Sequence, residues 1–479
     1  MNTCYRHTGG ALRRLVFLAC VLTFLAGCVA KGGTAPGAQP RNIIILFADG
    51  VAPTQWDFGR YSSRVLRGRG FATTDVVFDK GSLGLLSTSP ADAYITDSAA
   101  AASAMSIGAK VNNGAIAVTP DGNAALPTLM EIAKARSKRI GLVSTATIYD
   151  ATPAAFSVHA KVRSDSQAIV DQYLALEPDV LMGGGRDFFL PAGRDGGKRR
   201  DGRDLVAAFR AKGYAVATDA ASLKAANGPR LLGLFAIEDM DFEIDRNPAE
   251  PSTADMARAA LATLERNSPN GFVLLIENEN TDSAGHRNDA AALMHALWAF
   301  DEAVEAALEF QQRWPDTLVV IAGDHETGGL SITYAQRDLS SFAASNRLFA
   351  GDAQLRMIAG ITSSFDAMLE RLGKQPTTEA LDRELGRHFP GFRLDADLRE
   401  HLLKNQPLER NFTYGPGNIF GRMVARQTGY YWGTSGHTTE PVAIGAIGPG
   451  AERLRGYYDN TGFATRMRAL IEGRQENAK

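Results

Sequence analysis

The decapeptide ENENTDSAGH places Glu277, Glu279, Asp282 and His286 directly behind the apolar run FVLLI. Carboxylates gathered this closely repel one another unless a cation neutralises them. Asp282 and His286 are four residues apart, the spacing that sets two side chains on one face of a helical turn. An Asp–His hydrogen bond or a shared metal ion would account for the pair. Other apolar runs end in the same way. NIIILF leads into Asp49, RIGLVSTA towards Asp150 and Thr152, and TLVVIAG into Asp324 and His325. His437 stands apart in GTSGHTTEP, among small residues just before another apolar run. Carboxylate with imidazole suits zinc, and the hard oxygens of Asp, Thr and Glu suit magnesium.

A nucleophile is available as well. In ITDSAAAASAMSIG, Asp97 reads as the N-cap of an Ala-rich helix and Ser98 as a residue of its first turn. The free N–H groups and dipole at a helix N-terminus favour a phosphate. A zinc ion beside the hydroxyl would lower its pKa and activate it.

The elements that must position these residues follow from periodicity. NIIILFADG, RIGLVSTA, DVLMGG, GFVLLIEN, TLVVIAGDH and PVAIGAIG are continuous apolar runs, as expected of strands buried on both faces. LPTLMEIAKARSK, TADMARAALATLERN and DAAALMHALWAFDEAVEAALEFQQRW carry helical patterns between them. The alternation predicts an α/β fold, a three-layer sandwich around a largely parallel central sheet. In such sheets ligands gather beyond the carboxyl ends of the strands, where these acids and histidines fall. Residues 338–431 break the rhythm with helical segments and no buried strand, which predicts a mostly helical insertion within one domain spanning 42–479.

The 479 residues are 45% hydrophobic with a formal net charge of −2, enough apolar material for a large core and no signature of a nucleic-acid partner. The one dense basic stretch, GRDGGKRRDGR, reads as a solvated loop. At the N-terminus, Arg6, Arg13 and Arg14 precede LVFLACVLTFLA and then LAGC, which reads as a signal peptide over residues 1–27. LAGC resembles the lipobox of bacterial lipoproteins, in which Cys28 would receive lipid and anchor the protein to a membrane. Residues 28–41 read as a flexible tether. All three cysteines lie within the first 28 residues, so the predicted mature domain forms no disulfide.

FADG, TDSAAAAS, DATPAAF, ENENTDSAGH, AGDHETGG and SGHT occur in the order found in the alkaline phosphatases, and the chain resembles that family from Asn42 to near its C-terminus, apart from the helical insertion. The resemblance implies phosphate-monoester hydrolysis through a phosphoserine, with two zinc ions and one magnesium. Ser98 matches the nucleophile. Asp282, His286 and His437 match the ligands of one zinc, and Asp49, Asp324 and His325 those of the other. Asp49 also matches a bridge to magnesium, completed by Thr152 and Glu277. Asp150 matches a residue that tunes that magnesium, and Arg163, thirteen residues further on, a phosphate-clamping arginine. Glu279 matches no family role and is assigned to solvent or to a supporting hydrogen bond. The family habit of forming homodimers has no sequence signal here.

The chain departs from the family at Ser283, where bacterial members often carry Lys and others His. Two rival readings are a phosphodiesterase or sulfatase-like relative and a non-catalytic metal-binding lipoprotein. Arg163 with the magnesium set argues against the first, and the filled position of every ligand and of Ser98 argues against the second. The expected setting is the bacterial cell envelope, where the enzyme would scavenge phosphate.

Overall fold

A computed structural model describes residues 39–474 except Asn267 and Leu339. The expected signal peptide, Cys28 and nearly all of the tether lie outside the described residues. No helix among the described residues is long and apolar enough to cross a membrane.

Ten strands form the central sheet: β1 (Asn42–Ala48), β2 (Ser82–Ser87), β3 (Arg139–Thr147), β4 (Val180–Gly184), β5 (Tyr214–Ala217), β6 (Arg230–Leu234), β7 (Phe272–Asn278), β8 (Thr317–Ala322), β9 (Val442–Ile447) and β10 (Gly456–Asp459). Their spatial order is β10-β2-β9-β8-β1-β7-β3-β4-β6-β5. Only β9 runs against its neighbours, β8 and β2.

β1 shows why the sheet sits in the middle layer. Every residue of NIIILFA is buried, and alternate side chains serve different cores. Ile43, Ile45 and Phe47 pack with the helices Ser98–Ile107, Leu129–Ala135 and Thr461–Glu472. Ile44, Leu46 and Ala48 pack with Thr253–Glu265 and Ala290–Arg313 on the other face. A strand apolar on both faces requires this double cover, and burial of each large side chain contributes about 2 kcal/mol. Ile45→Ala would open a cavity costing about 2–5 kcal/mol.

Residues between β8 and β9 begin and end in short antiparallel ribbons. Glu326–Thr327 pairs with His437–Thr438, and Leu330–Ile332 with Tyr430–Trp432. Between these ribbons lie helices at Asp352–Ala359, Phe365–Leu372, Thr378–His388, Ala396–Leu403 and Asn418–Thr428. One short strand, Arg347–Phe349, pairs here with Tyr334–Gln336. It is three residues long and half-exposed, too short to show a period in sequence. A buried carboxylate fastens the region to the helix Ala290–Arg313. Asp289 caps the helix Ala290–Arg313 through Ala291 N and Ala292 N, while its other oxygen accepts from Phe365 N at 2.8 Å.

The basic stretch is an exposed loop, as read, with one exception. Arg199 is fully buried, donating to Asp171 at 2.8 Å, Asp201 at 2.6 Å and the Phe188 carbonyl at 3.1 Å. The interleaved Asp201 and, from the helix Ser166–Leu176, Asp171 supply the counter-charge a buried guanidinium needs.

Candidate active site and metal centre

Strand order brings the predicted ligands together. β8, β1, β7 and β3 are consecutive in the sheet, and Phe47 lies level with Ala322 on one side and Glu277 on the other. Asp49 and Asp324, each two residues past those matched positions, therefore leave neighbouring strands at the same height. Gly50 makes the turn possible. Its φ is +72°, and a Cβ there would lie 2.7 Å from Asp282 Oδ1 and 2.8 Å from Asp282 Cα.

Asp97 caps the helix Ser98–Ile107 by accepting from Ala100 N at 2.9 Å, so Ser98 is its first residue. The N–H groups of Ser98 and Ala99 belong to the set that a helix start leaves without intrahelical partners. Ser98 Oγ lies 3.1 Å from His325 Nε2. Arg163 reaches the same place from the loop between the helices Ala151–Ala155 and Ser166–Leu176. Its Nη1 donates to Asp97 at 3.2 Å and its Nη2 to Asp150 at 3.0 Å. Burial works against the guanidinium charge, but Asp150 and Asp97 outweigh it and raise the Arg163 pKa. Two carboxylates thus hold the fork in one orientation, and Arg163 is not the solvated residue its local sequence resembles.

The histidines meet with their Nε2 atoms inward. His286 Nδ1 is 2.6 Å from the Ser435 carbonyl and His437 Nδ1 is 2.7 Å from the Thr96 carbonyl. A carbonyl only accepts, so each Nδ1 carries a proton, and Nε2 is the ring nitrogen left to face inward as a metal ligand. Those two Nε2 atoms are 3.1 Å apart, with Asp282 Oδ2 at 3.1 Å from that of His286. Converging ring nitrogens and a carboxylate call for a cation. Asp282, His325 and His437 each offer a ligand atom within 4.8 Å of the others, as do Asp49, Asp324 and His325. His325 therefore faces both groups, a sharing that sequence spacing did not reveal.

The carboxylates carry the same message. Asp49 Oδ1, Asp324 Oδ2 and Thr152 Oγ1 are buried and receive no hydrogen bond of good geometry. Burial, then the charges of Asp324, Asp282 and Glu277, raises the Asp49 pKa well above the carboxylate range. Burial likewise pushes Glu277 up to about 8, against a hydrogen bond from Ser144. Asp324 rises to about 7, through burial and then the charge of Asp282. Asp282 goes the other way. Burial would raise it, but His286, His437 and His325 hold it below the usual range. Hard oxygens of Asp49, Thr152 and Glu277 beside nitrogen-rich groups fit a magnesium and a zinc chemistry respectively.

The structure brings Asp49, Asp282, His286, Asp324, His325 and His437 together, with Ser98 against His325 and Arg163 joining Asp97 to Asp150. Glu279, read as facing solvent or making a supporting hydrogen bond, accepts from Ser283 Oγ at 2.7 Å. Sequence reasoning missed four contributions. Ser144 donates to Glu277 from within β3, and Thr327 donates to Asp282 and lies 3.2 Å from His325 Nδ1. Asp97 holds Arg163 in addition to capping. Tyr414 stacks on His286, with ring centroids 4.1 Å apart and planes 24° from parallel. Only Ser144 and Thr327 carried a local signal, their adjacency to ligand-bearing strand ends.

A serine at a helix start, an oriented guanidinium and converging acids and imidazoles on an α/β frame define a metal-dependent phosphoryl-transfer hydrolase. The alkaline phosphatase family model matches residues 40–472. Alkaline phosphatase 3 of Bacillus subtilis (strain 168) is 32% identical over 432 residues, covering 88% of this chain and 87% of its own. The repressible alkaline phosphatase of Saccharomyces cerevisiae is 32% identical over 440 residues, covering 85% and 75%. The crystal structure of Thermus thermophilus alkaline phosphatase superimposes with a TM-score of 0.82 at 31% identity, covering 93% and 94%. The chain belongs to the alkaline phosphatase family, and its reaction is the hydrolysis of phosphate monoesters.

Proposed function

We propose that hydrolysis proceeds through a phosphoserine on Ser98, in a centre that holds two zinc ions and one magnesium. The observation that carries this reading is Ser98 Oγ, placed at a helix N-terminus and 3.1 Å from His325 in the acid–imidazole cluster. Asp282, His286 and His437 would hold one zinc, Asp49, Asp324 and His325 the other, and Asp49, Thr152 and Glu277 the magnesium. When bound, these ions supply Lewis-acid charge that eases deprotonation of hydroxyl and water and offsets negative charge developing on the ester oxygens.

The chain's own residues divide the remaining work. Arg163, held by Asp97 and Asp150, presents two N–H donors to the non-bridging oxygens of the phosphoryl group. The N–H groups at the start of the Ser98 helix face the same negative charge. Ser98 Oγ attacks phosphorus in line with the ester oxygen. The Ser98 O–P bond forms as the bond to the alcohol oxygen breaks. Water then attacks the phosphoserine, releasing inorganic phosphate and restoring Ser98. The proton lost by Ser98 and the one gained by the departing alkoxide are exchanged with water. Hydrolysis of p-nitrophenyl phosphate against bis-p-nitrophenyl phosphate tests the reading. A monoester preference abolished by Ser98→Ala supports it, and a diester preference overturns the role of Arg163.

The proposed setting is the bacterial cell envelope, with Cys28 lipidated, the enzyme scavenging phosphate outside the cytoplasm and assembling as a homodimer. The charged n-region, apolar stretch and LAGC support the anchor, as does the confinement of cysteine to the first 28 residues. Release from the membrane fraction by Cys28→Ser tests it, and light scattering of the purified protein tests the dimer.

A further inference from the structure

We propose that Tyr414, on the loop between the helices Ala396–Leu403 and Asn418–Thr428, is a positioning residue that fixes the tilt of the His286 imidazole for metal binding. The proposal rests on the reading of His286 as a zinc ligand. An imidazole has two orientations to control. A hydrogen bond from Nδ1 sets where Nε2 points within the ring plane, and the Ser435 carbonyl provides that at 2.6 Å. It leaves the ring free to rock about the hydrogen-bond axis. A flat neighbour against the face removes this motion, and Tyr414 lies there, nearly parallel, with centroids 4.1 Å apart.

The two restraints share one origin. Asn411 and Thr413 lace the Tyr414 loop onto the segment that carries the Ser435 carbonyl. Asn411 Nδ2 donates to Gly433 O at 2.9 Å, Ser435 N to Asn411 O at 3.2 Å, and Thr413 N to Ser435 Oγ at 2.8 Å. Asn418, a few residues on, grips the His286 backbone carbonyl at 3.1 Å and Asn288 Oδ1 at 2.8 Å. Arg287 closes the set. Its guanidinium carbon lies 5.3 Å from the Tyr414 ring centroid, and its Nε donates to Asp366 of the helix Phe365–Leu372 at 2.6 Å. Tyr414 is 43% exposed, so apolar burial does not explain its placement. Residues 411–418 therefore act as a clamp on one metal ligand. Partners that orient a ligating histidine commonly set metal affinity by ten- to a hundredfold.

The test is competition for zinc between the metal-free full-length protein and a chromogenic chelator, read for wild type, Tyr414→Ala, Tyr414→Leu and Tyr414→Phe. The expected result is that Tyr414→Ala and Tyr414→Leu bind one of two zinc ions at least about tenfold more weakly. Tyr414→Phe, which keeps the ring, matches wild type. Unchanged melting of the metal-free variants separates this from a folding defect, and Tyr414→Leu serves if Tyr414→Ala does not fold. Zinc affinity equal to wild type in both ring-deleted variants overturns the proposal. So does a raised KM confined to aryl phosphates with zinc affinity kept, which would make the ring a leaving-group platform. If wild type itself binds no zinc, the metal assignment of His286 fails, and the proposal with it.

Discussion

Ser98 Oγ stands 3.1 Å from His325 Nε2, although 227 residues separate them in the chain. The contact joins the first residue of a helix to the residue just past the carboxyl end of β8. It places a hydroxyl where the positive end of a helix meets buried imidazole and carboxylate groups.

Ser98→Ala should therefore lower monoester turnover by about a thousandfold or more, since removal of a nucleophile is felt at that scale. Zinc content should stay as in wild type, because the hydroxyl is not among the residues that would hold metal. Steady-state kinetics with metal analysis checks both. Activity within about tenfold of wild type would exclude Ser98 as the attacking group.

Arg163 is gripped from both sides, 3.2 Å from Asp97 and 3.0 Å from Asp150. Arg163→Ala should cost about 10²-fold in kcat/KM, the scale for loss of a preorganised donor to developing charge. Arg163→Lys should recover only part of this, because an ammonium keeps the charge and loses the planar fork. Equal activity of the lysine and wild-type enzymes would mean that charge alone suffices.

Gly50→Ala should damage the site out of proportion to its size. The residue sits at φ +72°, where a Cβ costs about 1–2 kcal/mol. The added atom would also press on Asp282 Oδ1 and Thr327 Oγ1, at 2.7 and 2.8 Å. The expected outcome is a lower melting temperature together with weakened metal binding. A variant with wild-type zinc affinity would show that the turn can move without moving Asp282.

Metal removal should have an effect that grows with pH. In the metal-free protein burial pushes Glu277 up to about 8 and Asp324 up to about 7. Unfolded carboxyls titrate near about 4, so between there and the folded values the folded state holds the extra protons. For acids raised in this way, stability is greatest below the unfolded pKa and falls as pH rises through the folded one. Bound cations need the deprotonated carboxylates and remove that cost. The gap in melting temperature between metal-loaded and metal-free protein should widen from about pH 5 to about pH 8, measured by calorimetry. A gap independent of pH would place the cations elsewhere.

Much of the fold could be read from sequence because its signals are local. NIIILFA is apolar at every position, and only a strand covered on both faces tolerates that. Asp97 before an alanine-rich run announces a helix start. The acids and histidines at strand ends could be assigned a common edge because a parallel sheet sends all its carboxyl ends the same way. Arg199 was misread because composition records charge and not the direction of a side chain. The strand Arg347–Phe349 is not legible in sequence because three residues hold no period.

Ser98, Asp282 and the acids and histidines at the strand ends could thus be picked out from sequence, and Arg163 from the family resemblance, as could the kind of frame that carries them. Tertiary structure alone decided that His325 faces two groups of ligands, that Asp97 both caps a helix and holds Arg163, and that Tyr414 lies flat on His286. The physical reason is range. Periodicity and caps arise from neighbours a few positions apart. The last three relations depend on strand order, register and loop packing between segments separated by tens to hundreds of residues, and these are set only when the whole sheet and both its helical layers close around one core.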